Sequence, residues 1–117
     1  MNTNFDPEEA RKHLIRKEEN EKADREKQRV ELFEKVVNIL SQRFRDSSIE
    51  VYLVGSIIKP YMFHSHSDID IVVKNFRGDR FDLWTELEGL FERNVEIILF
   101  EKCHFQEFVE KEGYKVI

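Results

Sequence analysis

Two aspartates stand two positions apart in Asp68-Ile69-Asp70, where the apolar run to Val73 opens, and a third acid, Glu96, interrupts Val95-Glu96-Ile97-Ile98-Leu99. Side chains on an extended chain alternate faces, so Asp68 and Asp70 are expected on one face of a strand while Ile69, Ile71 and Val73 take the other. Neighbouring carboxylates disfavour each other's ionisation unless a cation lies between them. Hard oxygen donors of this kind suit Mg²⁺ or Mn²⁺, and Mg²⁺ on one or two carboxylates commonly completes its shell with water and substrate phosphates. Two solvated acids at a strand mouth would show the same Asp-x-Asp spacing. Gly55-Ser56, closing the apolar run Val51 to Val54, weighs toward the site: glycine lets backbone approach a ligand, and serine adds a hydroxyl and an N–H suited to phosphate. Glu96, amid apolar neighbours, is on a solvated face or committed to a site, and Asp68 and Asp70 favour the site.

These residues need two strands joined by a loop, and a third strand beside them. Ile49 to Val54 and the run from Asp68 to Lys74 read as the first two, and Val95 to Phe100 as the third. Asn75 to Arg80 reads as a turn. Phe81, Leu83, Trp84, Leu87, Leu90 and Phe91 then follow a helical period and read as core. His104 to Lys111 reads as a short helix ended by Gly113, with an edge strand after it from Tyr114. Ile57, Ile58, Tyr61, Met62 and Phe63 make the loop between the first two strands unusually apolar, so it is expected to pack over the core. His64 and His66 flank Ser65 just before the acids; without further His or Cys at ligand spacing they read as surface residues or as residues behind the acids.

Before all this, Asp6-Pro7-Glu8-Glu9 is a helix start: a capping acid, proline at the first helical position and glutamates on the positive end of the dipole. From Arg11 to Arg29 only Leu14, Ile15 and Ala23 are apolar. Helicity there rests on propensity and on pairs such as Glu18 with Lys22 and Glu21 with Arg25. From Val30, the residues Phe33, Val36, Val37, Leu40 and Phe44 recur at three- and four-residue spacing, with Leu32 and Ile39 widening the stripe, so this segment should pack on the sheet. The chain thus divides into a charged helical extension, residues 1–29, and a domain of residues 30–117. The extension is a solvated helix, or an arm that uses Leu14 and Ile15 to dock a partner or a second copy. The elements order as α-β-β-α-β-α with a short final strand, an α+β mixed sheet carrying its helices mainly on one face.

At 117 residues the chain is one domain able to bury a workable core. A net charge of −5 argues against a general nucleic-acid binder. The lone Cys103 leaves no disulfide framework, no apolar run reaches membrane-spanning length, and no signal-peptide pattern is present, which together suggest a cytoplasmic protein.

Gly55-Ser56 after a strand, a loop, and Ser67-Asp68-Ile69-Asp70 entering the next strand resemble the nucleotidyltransferase superfamily of the DNA polymerase β type, and the short chain is most similar to its minimal nucleotidyltransferase group. Phe81 to Ile98 resembles that group's next helix and strand, with Glu96 where the family places a third acid, commonly aspartate. The likeness runs from about Val30 to the C-terminus. Eleven residues separate Ser56 from Asp68, one more than is usual, and Ile57-Ile58-Lys59-Pro60 replaces the Ala-Arg-Gly often found there. The resemblance implies that Asp68, Asp70 and Glu96 bind two divalent ions, Mg²⁺ or Mn²⁺. It implies that Gly55 and Ser56 grip the β- and γ-phosphates of an NTP, ATP above all, with Lys59 a weaker aid. It further implies transfer of a nucleoside monophosphate to a hydroxyl, for instance a tyrosine of a HEPN partner toxin. Two alternatives stay open: a non-catalytic antitoxin or scaffold of the same fold, and a small-molecule nucleotidyltransferase, which would normally need a further domain.

Overall fold

A computed structural model describes residues 5–117; the first four residues of the expected extension lie outside the described residues. Helix α1 spans Pro7–Arg43 without a break. The Asp6 side chain accepts from the Glu8 N–H at 2.9 Å and opens it as the sequence suggests. Its 37 residues extend for about 55 Å at about 1.5 Å each. Strand β1 (Glu50–Val54) follows, then a 3-10 turn at Gly55–Ile58, β2 (Ile69–Lys74), α2 (Arg80–Phe91), β3 (Val95–Leu99), a second 3-10 turn, α3 (Gln106–Glu112) and β4 (Tyr114–Lys115).

The sheet order is β3-β2-β1-β4, with β2 and β3 parallel and the other pairs antiparallel. Alternation divides its side chains between two faces. Val51, Leu53, Ile69, Ile71, Val73, Val95 and Ile97 meet Val36, Leu40 and Phe44 of α1 and Leu83, Leu87 and Phe91 of α2. On the other face Tyr52, Val54 and Val72 form a smaller cluster with Phe100 and Val109, under α3. Two helices thus cover the main core and the short third covers the opposite face.

Three expectations are corrected. Val30 is exposed, because the inward stripe of α1 begins later, at Leu32 and Phe33. Only Leu83, Leu87 and Phe91 of α2 are buried, while Phe81, Trp84 and Leu90 are exposed. In the loop after β1, Ile57 and Phe63 enter the core but Tyr61 and Met62 stay exposed. No ion pair joins Glu18 to Lys22 or Glu21 to Arg25 among the described residues, and no helix there is long and apolar enough to cross a membrane.

Glu26 and Arg29 fasten α1 to the turn and loop that follow β1. Arg29 forks onto Glu26 at 2.7 and 2.8 Å and donates to the buried Ile57 carbonyl at 2.8 Å, while Glu26 accepts from the Tyr61 N–H at 2.9 Å. Lys22 adds its ammonium over the Tyr61 ring, 5.1 Å from the centroid. This clamp holds the residues just after Gly55-Ser56.

The Arg29 hydrogen bond and the Tyr61 N–H hold the Glu26 carboxyl down to about 2. Its contribution to stability is therefore complete above the ordinary glutamate range and is lost as pH falls through that range toward 2. Arg29→Ala, which strands the Ile57 carbonyl, is expected to cost about 2 kcal/mol in urea unfolding at pH 7. Glu26→Gln should destabilise at pH 7, and its difference from the natural chain should close as pH is lowered toward 2.

Candidate functional site

The parallel register of β2 with β3 sets Asp70 directly beside Glu96, and the antiparallel register with β1 sets Asp70 opposite Val54, the residue before Gly55. Asp70 and Glu96 share the face that carries Val72 and Ile98. Asp68 stands one residue before β2, exposed at its mouth. All three acids named from the sequence thus gather at one end of the sheet. Burial first, then the Glu96 charge, a hydrogen bond with Glu96 and the Asp68 charge push the Asp70 carboxyl up to about 6. Burial and the neighbouring acids together thus shift the Asp70 titration into the mildly acidic range.

Gly55 adopts φ +78°, and a Cβ there would fall inside the van der Waals envelope of Asp70 Oδ2. The position thus excludes a side chain twice, by backbone conformation and by the carboxylate lying against it. Ser56 follows in the 3-10 turn, half-buried, and Lys59 lies just past that turn, exposed. The Gly-Ser turn and the acids are adjacent; Lys59 is not drawn against either.

The loop into Asp68 is fixed from beneath by Arg93, which sequence reasoning passed over. Its guanidinium donates to the carbonyls of His64, Ser65 and Ser67 at 2.9, 3.2 and 2.9 Å and stacks on Phe63 at 4.5 Å. Ser67 Oγ accepts from the His64 N–H at 2.8 Å, and the Ile69 N–H donates to Asn94 O at 3.0 Å, beginning the β2–β3 ladder. His64 and His66 point to solvent. Nothing in the local sequence marks Arg93, because its partners are main-chain atoms more than 25 residues away.

A cleft of about 540 Å³ opens beside the acids, lined by Asp68 and Glu96 on one side and by Arg80, Phe81 and Trp84 of α2 on the other. Phe81 and Trp84 meet edge to face at 5.6 Å. The helical period that assigned them to the core does not distinguish an inward stripe from one that also flanks a cleft.

Among the described residues no group of three or more His, Cys, Asp or Glu side chains is arranged to enclose a metal ion. The donors nevertheless fit a hard divalent cation by chemistry: three carboxyl groups at one sheet end, whose mutual repulsion a cation would relieve. A divalent ion on these acids would leave room for phosphate oxygens and water to complete its shell.

No protein-family model matches the chain, and no curated protein matches it. Among solved structures, a chain in the crystal structure of a mutant toxin–antitoxin pair, MntA–HpeT, is similar, with a TM-score of 0.57 and 21% identity over 69% of this chain and 72% of that one. At this identity the likeness is one of fold.

Asp70→Asn removes a carboxyl whose charged form the fold disfavours. The native state of the natural chain binds this proton more tightly than the unfolded state, so stability falls as pH rises through 4 to 6. The asparagine variant is expected to be more stable at pH 8 by about 1 kcal/mol, a figure reduced for the half-exposed carboxyl, and the gain should vanish near pH 4. Gly55→Ala should destabilise by about 1 kcal/mol or more from the left-handed backbone alone. Arg93→Ala should lower the urea midpoint, corresponding to about 1–3 kcal/mol, by stranding the loop carbonyls before Asp68.

Proposed function

We propose that the chain is a nucleotidyltransferase that moves a nucleoside monophosphate from an NTP, ATP by preference, to a hydroxyl on a partner protein. The observation that carries this reading is the convergence of Asp68, Asp70 and Glu96 beside a Gly-Ser turn whose glycine lies against Asp70. Gly55 lets phosphate come close to the backbone, and Ser56 offers its hydroxyl, with the Lys59 ammonium as a further charge. Asp68, Asp70 and Glu96 would hold two divalent ions, Mg²⁺ or Mn²⁺, which when bound activate the acceptor hydroxyl and steady the departing pyrophosphate. The acceptor oxygen forms a bond to the α-phosphorus, the bond to the β-phosphate oxygen breaks, and Glu96 takes the hydroxyl proton.

The fold likeness to a chain of a toxin–antitoxin pair supports an antitoxin role; the cytoplasmic setting and a HEPN-type toxin tyrosine as acceptor are part of the proposal. In this reading residues 30–117 are the transferase body and residues 1–29 an arm for the partner or for a second copy. One observation favours a second reading, a contact-only antitoxin: outside the Glu26 clamp, the first half of α1 is exposed, Leu14 by 61% and Ile15 by 49%.

Calorimetry with ATP decides between them. Binding that requires Mg²⁺ and falls at least about tenfold in the Asp68→Asn, Asp70→Asn double variant is expected. A folded chain that binds no NTP in Mg²⁺ or Mn²⁺ would overturn the transferase reading and leave the contact-only antitoxin.

A further inference from the structure

Two aromatic side chains form one wall of the cleft beside the acids. Trp84 is the chain's single tryptophan, and its indole N–H donates to the Val95 carbonyl at 2.8 Å, which fixes the ring against the start of β3. Phe81 meets it edge to face, with centroids 5.6 Å apart and planes at 61°. Phe81 nevertheless remains 63% exposed, so burial in the core does not account for its place. Asp68 and Glu96 stand across from the pair, and among the described residues Arg80 is the one basic side chain lining the space of about 540 Å³. That volume falls within the range of about 300–1,000 Å³ in which proteins hold small ligands.

The order of parts across the sheet gives this cleft its place in a transfer. Gly55 and Ser56 follow β1, Asp70 lies on β2 and Glu96 on β3, which is the last strand on that side and borders the cleft with α2. The proposed triphosphate grip, the acids and the cleft thus succeed one another. In-line displacement puts the entering and leaving oxygens on opposite sides of the α-phosphorus. With pyrophosphate departing on the Gly55 side, the acceptor oxygen enters from the cleft.

We propose that the cleft is the acceptor pocket, and that Phe81 and Trp84 make it select the phenol ring of a partner protein's tyrosine over an aliphatic or a nucleotide hydroxyl. The proposal rests on the nucleotidyl-transfer reading above and adds the residues that choose the acceptor. Serine and threonine carry the hydroxyl on Cβ, so bringing it to the acids would draw main-chain N–H and C=O groups into the cleft, where they lose water without gaining partners. A tyrosine hydroxyl stands at the far end of its ring. The ring alone need enter, and offset or edge-to-face contact with Phe81 and Trp84 favours it. Charge works against a nucleic-acid acceptor: two carboxyl groups face one guanidinium across the cleft, and the phosphate beside a nucleotide hydroxyl would meet them. Once seated, the phenol oxygen bonds to the α-phosphorus and its proton passes to Glu96. The α-phosphorus bond to the bridging oxygen breaks, and that oxygen leaves with the electron pair as part of pyrophosphate.

Because Trp84 is the single tryptophan, its fluorescence reads the cleft directly, in the full chain and without ATP or metal. N-acetyl-tyrosinamide should change that emission saturably at millimolar concentration, whereas N-acetyl-serinamide and a dinucleotide with a free 3′ hydroxyl should not. Phe81→Ala, at an exposed position, should keep the urea midpoint and weaken the tyrosine probe at least about fivefold, with Phe81→Leu in between. With α-labelled ATP and Mg²⁺, a tyrosine peptide should take up label and the matching serine peptide should not. In that assay Phe81→Ala should raise the peptide KM at least about fivefold, well beyond any change in the KM for ATP. The proposal is overturned if Trp84 emission ignores N-acetyl-tyrosinamide, if the serine probe or the dinucleotide binds equally well, or if Phe81→Ala leaves probe affinity and peptide KM unchanged. Label found only on the chain's own exposed Tyr61 or Tyr114 would assign the pocket to a second copy and overturn the partner role. A folded chain that binds no NTP counts against the transferase reading alone, and the metal-free titration then still decides whether the cleft selects a phenol.

Discussion

The contact between Asp70 and Glu96 across two parallel strands constrains everything around it. Two carboxyl groups in one register cannot both be charged without cost, and half-burial raises that cost, so Asp70 retains a proton into the mildly acidic range. Each neighbouring feature bears on this pair. Gly55 has no side chain because Asp70 Oδ2 occupies the space a Cβ would need. Arg93 ties down the loop that presents Asp68, and Glu88 with Trp84 secures the start of the strand that presents Glu96.

Helix α1 serves two purposes along one continuous rod. Its C-terminal half buries Val36, Leu40 and Phe44 against the sheet, and its middle clamps the turn after Gly55-Ser56 through Glu26 and Arg29. The N-terminal turns beyond the clamp are exposed and carry mixed charge.

Much of the architecture was legible along the chain because it is written in local patterns. The capped start of α1, the three apolar strands, the turn before α2 and the acids at positions 68, 70 and 96 follow from residue type and spacing alone. Helix α2 was legible only in part. A helical period names a stripe, but whether Phe81 and Trp84 in that stripe are covered depends on how far the neighbouring strand extends, and β3 is the last strand on that side.

What the sequence determined by itself is the inventory: three carboxylates, a glycine and a serine at strand ends, and the periodicities that form the elements. Tertiary structure decided their relations. The parallel pairing that sets Asp70 beside Glu96 joins residues 26 positions apart, and no local pattern encodes that register. Arg29 and Arg93 look like ordinary surface charges in sequence, because the carbonyls they hold belong to distant loops. Spacing acts over a few residues, whereas register, burial and edges arise when distant segments compete for the same hydrogen bonds and the same space.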